Sequence, residues 1–206
     1  MPPATPIAAP VDRRPPPGAS AHARLLRWLT RVAAGLLLTL AVTASADTIA
    51  LRAAELQSDE DGFVLNAEFD VAINSTLEEA LQKGLPLYFV LEFELLRPRW
   101  YWLDEKVVVN STVYRVAWDA LTRTYRVSSG LLRLNFNTLD EVQRFLSRVT
   151  GRQVARRDQL VPGARYEAAV RLMLDVNQLP KPFQVNALTS REWTLQSEWH
   201  RWSYTP

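Results

Sequence analysis

The chain has 206 residues, with 24 Lys and Arg against 22 Asp and Glu, and it contains no cysteine. The missing cysteine excludes disulfides, thiolate metal sites and cysteine nucleophiles. Residues 1–46 carry five arginines and one aspartate, so 19 basic and 21 acidic residues remain after them. The basic balance therefore lies in that first segment, and residues 47–206 lack the charge of a nucleic-acid-binding domain.

Residues 1–46 are predicted to be a proline-rich leader that ends in a secretory signal peptide. Three arginines precede the apolar run 32–44, and Ala44 and Ala46 occupy the two small positions that a signal peptidase reads. The run is shorter than the roughly 20 apolar residues that span a bilayer. We expect export to the periplasm with cleavage after Ala46. The alternative is an uncleaved inner-membrane anchor, and such a leader would be the only membrane contact.

Alternating apolar and polar residues predict most of the strands in residues 47–206, which we expect to form one domain. The clearest runs are 63–71, 87–95 and 166–176, where every second residue is apolar. Weaker strand signals occupy 48–56, 114–118, 125–127, 132–136 and 193–199.

Two short helices are predicted between these strands from their capping signals. Ser75 with Glu78, and Thr138 with Glu141, have the spacing of a capping box. Glycines at 84 and 151 are typical of helix ends. The segment LPKPF (179–183) is predicted to be a loop or an edge segment, because proline does not occur in central strands. The sequence thus predicts a mainly β protein, an antiparallel β-sandwich that is immunoglobulin-like in general architecture, with two capped helices.

Signals for catalysis, metals and cofactors are weak, and we expect none of the three. His200 is the one histidine in residues 47–206, and there is no GxSxG motif, no glycine-rich phosphate loop and no metal-ligand spacing. Asp104 and Glu105 are adjacent carboxylates beside aromatic residues, as a glycan-cleaving hydrolase would need. An adjacent pair of this kind is also typical of a solvated hairpin turn.

Arginines recur every four residues from Arg144 to Arg156. On the second predicted helix, Arg144 and Arg148 would share one exposed stripe. The stripe is either a surface for an anion or a partner, or a solvated face on which Arg148 interacts favourably with the helix dipole.

The segment RPRWYWLDEK (97–106) contains the candidate binding residues, Arg97, Arg99 and Tyr101. The strand before it buries odd-numbered positions, so continued alternation would turn these three residues inward. Burying two guanidinium groups is costly unless each finds partners.

A bulge at the doublet Leu95-Leu96 would switch the faces of this strand. Trp100 and Trp102 would then lie in the core, while the two arginines and Tyr101 would share the outer face. We expect this arrangement.

Four short motifs resemble, in their order, an uncharacterised family of exported proteobacterial proteins, domain-of-unknown-function family 4390. The motifs are GLPLYF (84–89), RWYW (99–102), LPKPFQ (179–184) and WTLQSEW (193–199). The resemblance implies a periplasmic protein with a proline-rich signal peptide and an association with a nitrogen-regulation-type sensor kinase encoded nearby. It supplies no catalytic or binding residues.

The leading hypothesis is a non-enzymatic periplasmic binding or adaptor domain that acts on another envelope protein, as an accessory to a sensor-kinase system. An exposed sheet edge would accept a strand of such a partner. One alternative is a glycan- or peptidoglycan-binding module that uses Trp100, Tyr101 and Trp102 for stacking. The other is a carboxylate-dependent hydrolase that uses Asp104 or Glu105.

Overall fold

Two antiparallel sheets dominate the computed structural model, which describes residues 49–101 and 103–206. The predicted leader, including Ala44 and Ala46, lies outside the described residues, and so does Trp102. The strands are β1 (Ala50–Asp59), β2 (Gly62–Asp70), β3 (Leu87–Arg97), β4 (Glu105–Asp119), β5 (Thr124–Ser129), β6 (Leu132–Phe136), β7 (Arg148–Arg156), β8 (Tyr166–Leu174) and β9 (His200–Tyr204). The helices are α1 (Ser75–Gln82), α2 (Leu139–Ser147) and α3 (Lys181–Thr189).

The smaller sheet has the order β1-β2-β7 and the larger one the order β6-β5-β4-β3-β8-β9. All pairs are antiparallel. One continuous apolar cluster joins their inner faces, with Phe63, Leu65 and Phe69 from β2 and Phe89 and Phe93 from β3 at its centre. The predicted antiparallel β-sandwich is confirmed.

The alternating runs form strands because each has one apolar face to bury. In β3, Leu87, Phe89, Leu91, Phe93 and Leu95 are all buried, and β8 buries its even-numbered residues from Tyr166 to Leu174 in the same core. Glu92 and Glu94 of β3 and Glu167 and Arg171 of β8 lie on the opposite face. Glu92 there pairs with Arg171, whose guanidinium lies over the Trp199 ring, 4.6 Å from its centroid.

Helix α1 begins one residue earlier than its capping box predicted. Asn74, not Ser75, is the N-cap, and its side chain accepts a hydrogen bond from the backbone N–H of Leu77 at 3.0 Å. The helix ends at Gln82, and Gly84 follows the C-cap residue Lys83 with a positive φ of 87°, as expected for a helix end. Backbone bonds from Gly84 to Leu81 and from Leu85 to Ala80 close a Schellman motif.

Helix α2 has the predicted N-cap, Thr138, but it is shorter than predicted. It ends at Ser147, and the chain continues directly into β7. Arg148 therefore belongs to a strand and does not share a helical stripe with Arg144. The prediction extended the helix because the arginines of β7 hide its strand alternation.

The prediction of a loop or edge segment at 179–183 is wrong in its second half, where α3 begins. Pro182 occupies the first turn of this helix, where a backbone N–H has no helical acceptor and its loss costs little. The carbonyl of Pro180 accepts bonds from Phe183 and Gln184 at 2.9 and 3.3 Å. Among the described residues, none of the helices has the length and apolar character needed to cross a bilayer.

Candidate functional site

The β3–β4 hairpin contains all three candidate binding residues, and its register contains the irregularity predicted at Leu95-Leu96. Leu95 pairs with Val108, whereas Leu96 pairs with Lys106. Val107 is therefore the extra residue, so the bulge lies in β4 and not in β3. Because β3 itself has no extra residue, its faces do not switch.

Arg97 consequently stays on the core side of β3, at the rim of the sandwich. Its Nη2 donates to the hydroxyl of the fully buried Tyr166 at 3.0 Å, and its guanidinium lies over that ring, 5.4 Å from the centroid. The hydrogen bond to Tyr166 raises the pKa of Arg97 above its usual value. The prediction that Arg97 points outward is wrong, because Tyr166 supplies the partner that an inward guanidinium needs.

Arg99 connects the two ends of the hairpin loop. Its Nη2 lies 2.6 Å from an oxygen of Glu105, and its backbone N–H donates to Asp104 at 3.3 Å. Glu105 also lies 4.0 Å from Arg97. Both carboxylates of the hydrolase hypothesis are thus engaged in holding the loop.

The tip of this loop exposes large apolar side chains. Trp100 is 95% exposed, Leu103 is 81% exposed and Tyr101 is 64% exposed. The rings of Trp100 and Tyr101 meet edge to face, with centroids 5.1 Å apart. The prediction that Trp100 lies in the core is wrong, because the hairpin extends beyond the end of the core, whereas Tyr101 is exposed as expected.

Beyond the tip, β4 is paired on only one side for most of its length. It pairs with β3 from Glu105 to Val116, but β5 covers its other side only from Arg115 to Asp119. No other strand among the described residues pairs with residues 107–114, which we call the open edge. Its sequence, VVVNSTVY, contains neither a charge nor a proline.

Other sheet edges in the described part of the chain are protected by charge or by short length. The edge strand β7 carries Arg148, Arg152 and Arg156, and β1 carries Arg52 and Glu55. The edge strands β6 and β9 have five residues each. Charged or short edges prevent strand-to-strand association, whereas a long, uncharged, β-branched edge favours it.

A groove of about 430 Å³ lies along the open edge, between β4 and β7. Residues 107–110 form one wall, and residues 153–156 with Gln159 form the other. Val108 is buried at its base, whereas Val109 is 63% exposed on the outer face. The open edge is therefore accessible to an extended chain from the side.

One contact bridges the two sheets at this corner. Arg152 of β7 donates its Nη2 to the hydroxyl of Thr112, a buried residue of the open edge, at 2.7 Å. Burial raises the pKa of the neighbouring Tyr114, and the positive charge of Arg152 opposes that rise.

The other sequence candidates do not assemble into a site. His200 is exposed on β9, and its ring lies 5.6 Å from that of Trp202. No group of three or more histidine, aspartate or glutamate residues in the described ranges is arranged to hold a metal ion.

The open edge was not predicted from the sequence, and Arg152 was predicted only as one member of the arginine series from Arg144 to Arg156. Residues 105–113 show no apolar–polar alternation, so their strand was not predicted. The signal that would have found it is the run of β-branched residues at 107–109 and 112–113, which favours strand even without alternation.

These features define the class of the protein: an antiparallel β-sandwich with one unprotected edge among its described strands. The family model described as Domain of unknown function (DUF4390) matches residues 46–203, and the chain belongs to this family. The family predicted from the four short motifs is thereby confirmed. A search of the curated proteins and a search of the solved structures each found no match.

Proposed function

We propose that this protein is a non-enzymatic periplasmic adaptor that binds an extended segment of another envelope protein by strand addition along the open edge. The observation that carries the proposal is the open edge itself, which has unpaired backbone groups and no charged residue. At about 3.4 Å per residue, its eight residues offer roughly 27 Å of strand. A partner strand gains affinity from main-chain hydrogen bonds and specificity from alternate side chains.

The periplasmic location is part of this proposal and is supported by the order of the leader's sequence signals. A role accessory to a sensor kinase would follow if the captured segment belongs to that kinase.

In-cell photocrosslinking tests the proposal. A benzoylphenylalanine at Val109 is expected to form an adduct with one envelope protein, because this side chain projects beside the open edge. The same group at Leu121, which is 94% exposed in the β4–β5 turn, is the control and is expected to form no such adduct. Mass spectrometry of the adduct identifies the partner.

A second substitution makes the result specific to strand addition. Val113→Lys places a charge on the outer face of the open edge and is expected to abolish the adduct at Val109, since a lysine opposes edge pairing. An adduct that forms equally at both positions, or that persists with Val113→Lys, would show that the open edge is not the contact.

The second candidate is a glycan-binding module, which the exposure of Trp100 and Tyr101 favours. Aromatic faces stack on sugar rings, but these two rings are inclined at 71° and do not form one flat platform. If glycan is bound here, Trp100→Ala with Tyr101→Ala should remove retention on purified peptidoglycan sacculi, while Leu121→Ala should retain it. Equal retention of the two variants would exclude the tip as a glycan site.

A further inference from the structure

We infer that the segment captured at the open edge carries a carboxylate that pairs with Arg152. This inference rests on the proposed function, because it names the chemistry of the strand that the open edge takes. It is carried by the position of Arg152, by its unused hydrogen-bond donors and by the charges around it.

The position of Arg152 is set by its partner in β2. Arg152 pairs with Leu65, a fully buried core residue, so its side chain leaves the backbone on the inner side of the smaller sheet. It then reaches across to Thr112, whose buried side chain is on the inner side of β4. A strand added to the open edge would place its inward side chains beside this guanidinium.

The fold uses little of the hydrogen-bonding capacity of Arg152. A guanidinium has five N–H donors, and the bond to Thr112 takes one of them. Within the described ranges no carboxylate lies within ion-pair distance of this side chain. The planar arrangement of the remaining donors suits a carboxylate, which can accept two of them at once.

Two cations of β4 and β7, Lys106 and Arg156, differ from Arg152 because each has a carboxylate partner. Lys106 lies 2.7 Å from Glu94, and Arg156 lies 3.1 Å from Asp158. Arg152 has no ion-pair partner in the described part of the chain, so its charge is available to a partner segment. An acidic segment complements it, and a basic segment would be repelled.

Strand alternation fixes where the acidic residue falls in the captured segment. Side chains on one face of the added strand would lie beside Val109 and Val113, and those on the other face beside Thr112 and Arg152. The preferred segment is an acidic residue facing inward, flanked on both sides by β-branched residues facing outward.

A displayed library of random nonapeptides tests this preference on the protein purified after expression of the full-length chain. Peptides selected on the wild type are expected to show an acidic residue between two β-branched residues. Selection on Arg152→Gln should keep the β-branched residues and lose the acidic one. Arg148→Gln is the matched control, because Arg148 lies on the same strand, pairs with Glu68 and does not line the groove, so it should retain both. Val109→Lys should select neither.

A titration then measures how much the carboxylate of the peptide contributes to binding, without any change to the protein. An enriched peptide is compared by fluorescence anisotropy with the same peptide carrying Gln for Glu, and the amide is expected to bind wild type about tenfold more weakly. Equal binding of the two peptides, or an acidic preference that survives in Arg152→Gln, would overturn the role of Arg152 and leave strand capture intact. Identical selections from wild type and Val109→Lys would overturn strand capture itself.

Discussion

Phe93→Ala is expected to lower the free energy of unfolding by about 3–5 kcal/mol, the usual cost of removing a buried phenylalanine side chain. Phe93 lies in the middle of β3, is almost fully buried, and packs near Trp202 of β9 with ring centroids 6.5 Å apart. It belongs to the same apolar cluster as the β2 side chains of the smaller sheet. The cavity left by the substitution would therefore lie between the two sheets.

Urea denaturation followed by circular dichroism measures this change. Glu94→Ala is the matched control, because the next residue along β3 points to the opposite face. It loses only a partly exposed pair with Lys106, so less than about 1 kcal/mol is expected. If Phe93→Ala cost no more than Glu94→Ala, the inner faces of the two sheets would not form a common core.

The strands with strict alternation were predictable because a single physical cause, burial of one face, sets both their period and their position. β2, β3 and β8 are of this kind. β7 was not predictable in the same way, since its arginines and its glycine at 151 interrupt the apolar face. The uncharged segment 107–114 of β4 has the opposite character, because β-branched residues occupy both of its faces.

The candidate site was predictable only in part, because its geometry depends on which strand of the β3–β4 pair contains a single extra residue. The doublet Leu95-Leu96 correctly marked an irregular position, but sequence alone does not tell which of two paired strands holds the extra residue. Because Val107 is the extra residue in β4, the side chain of Arg97 still points inward and donates a hydrogen bond to Tyr166. Trp100 then lies at an exposed tip and not in the core. Contacts between distant segments, such as that of Arg152 with Thr112, have no local sequence signal.

Gly62→Ala is expected to destabilise the protein by about 3 kcal/mol or more, through backbone contacts at the start of β2. Gly62 has a φ of 154°, which side chains rarely allow, and it pairs with Arg156 of β7. An added Cβ would lie 2.3 Å from the carbonyl oxygen of Ala155 and 2.9 Å from the Cα of Arg156. Because both contacts are with backbone, relief requires β2 and β7 to separate.

Gly151→Ala is the control that separates two contributions to the loss of stability. These are the clash of the new Cβ with backbone atoms and the cost of a side chain at positive φ. Gly151 also has a positive φ, 61°, but an added Cβ there would meet nothing within 4 Å. It should cost about 1 kcal/mol, the usual penalty for a side chain in the left-handed region. Thermal and urea unfolding of both variants measure the difference. If the two substitutions were equally costly, the close approach of β2 to β7 at Gly62 would have to be absent in solution. The wall of the groove formed by residues 153–156 would then not be held against β2, and Arg152 would lose the fixed position that its pairing with Leu65 provides.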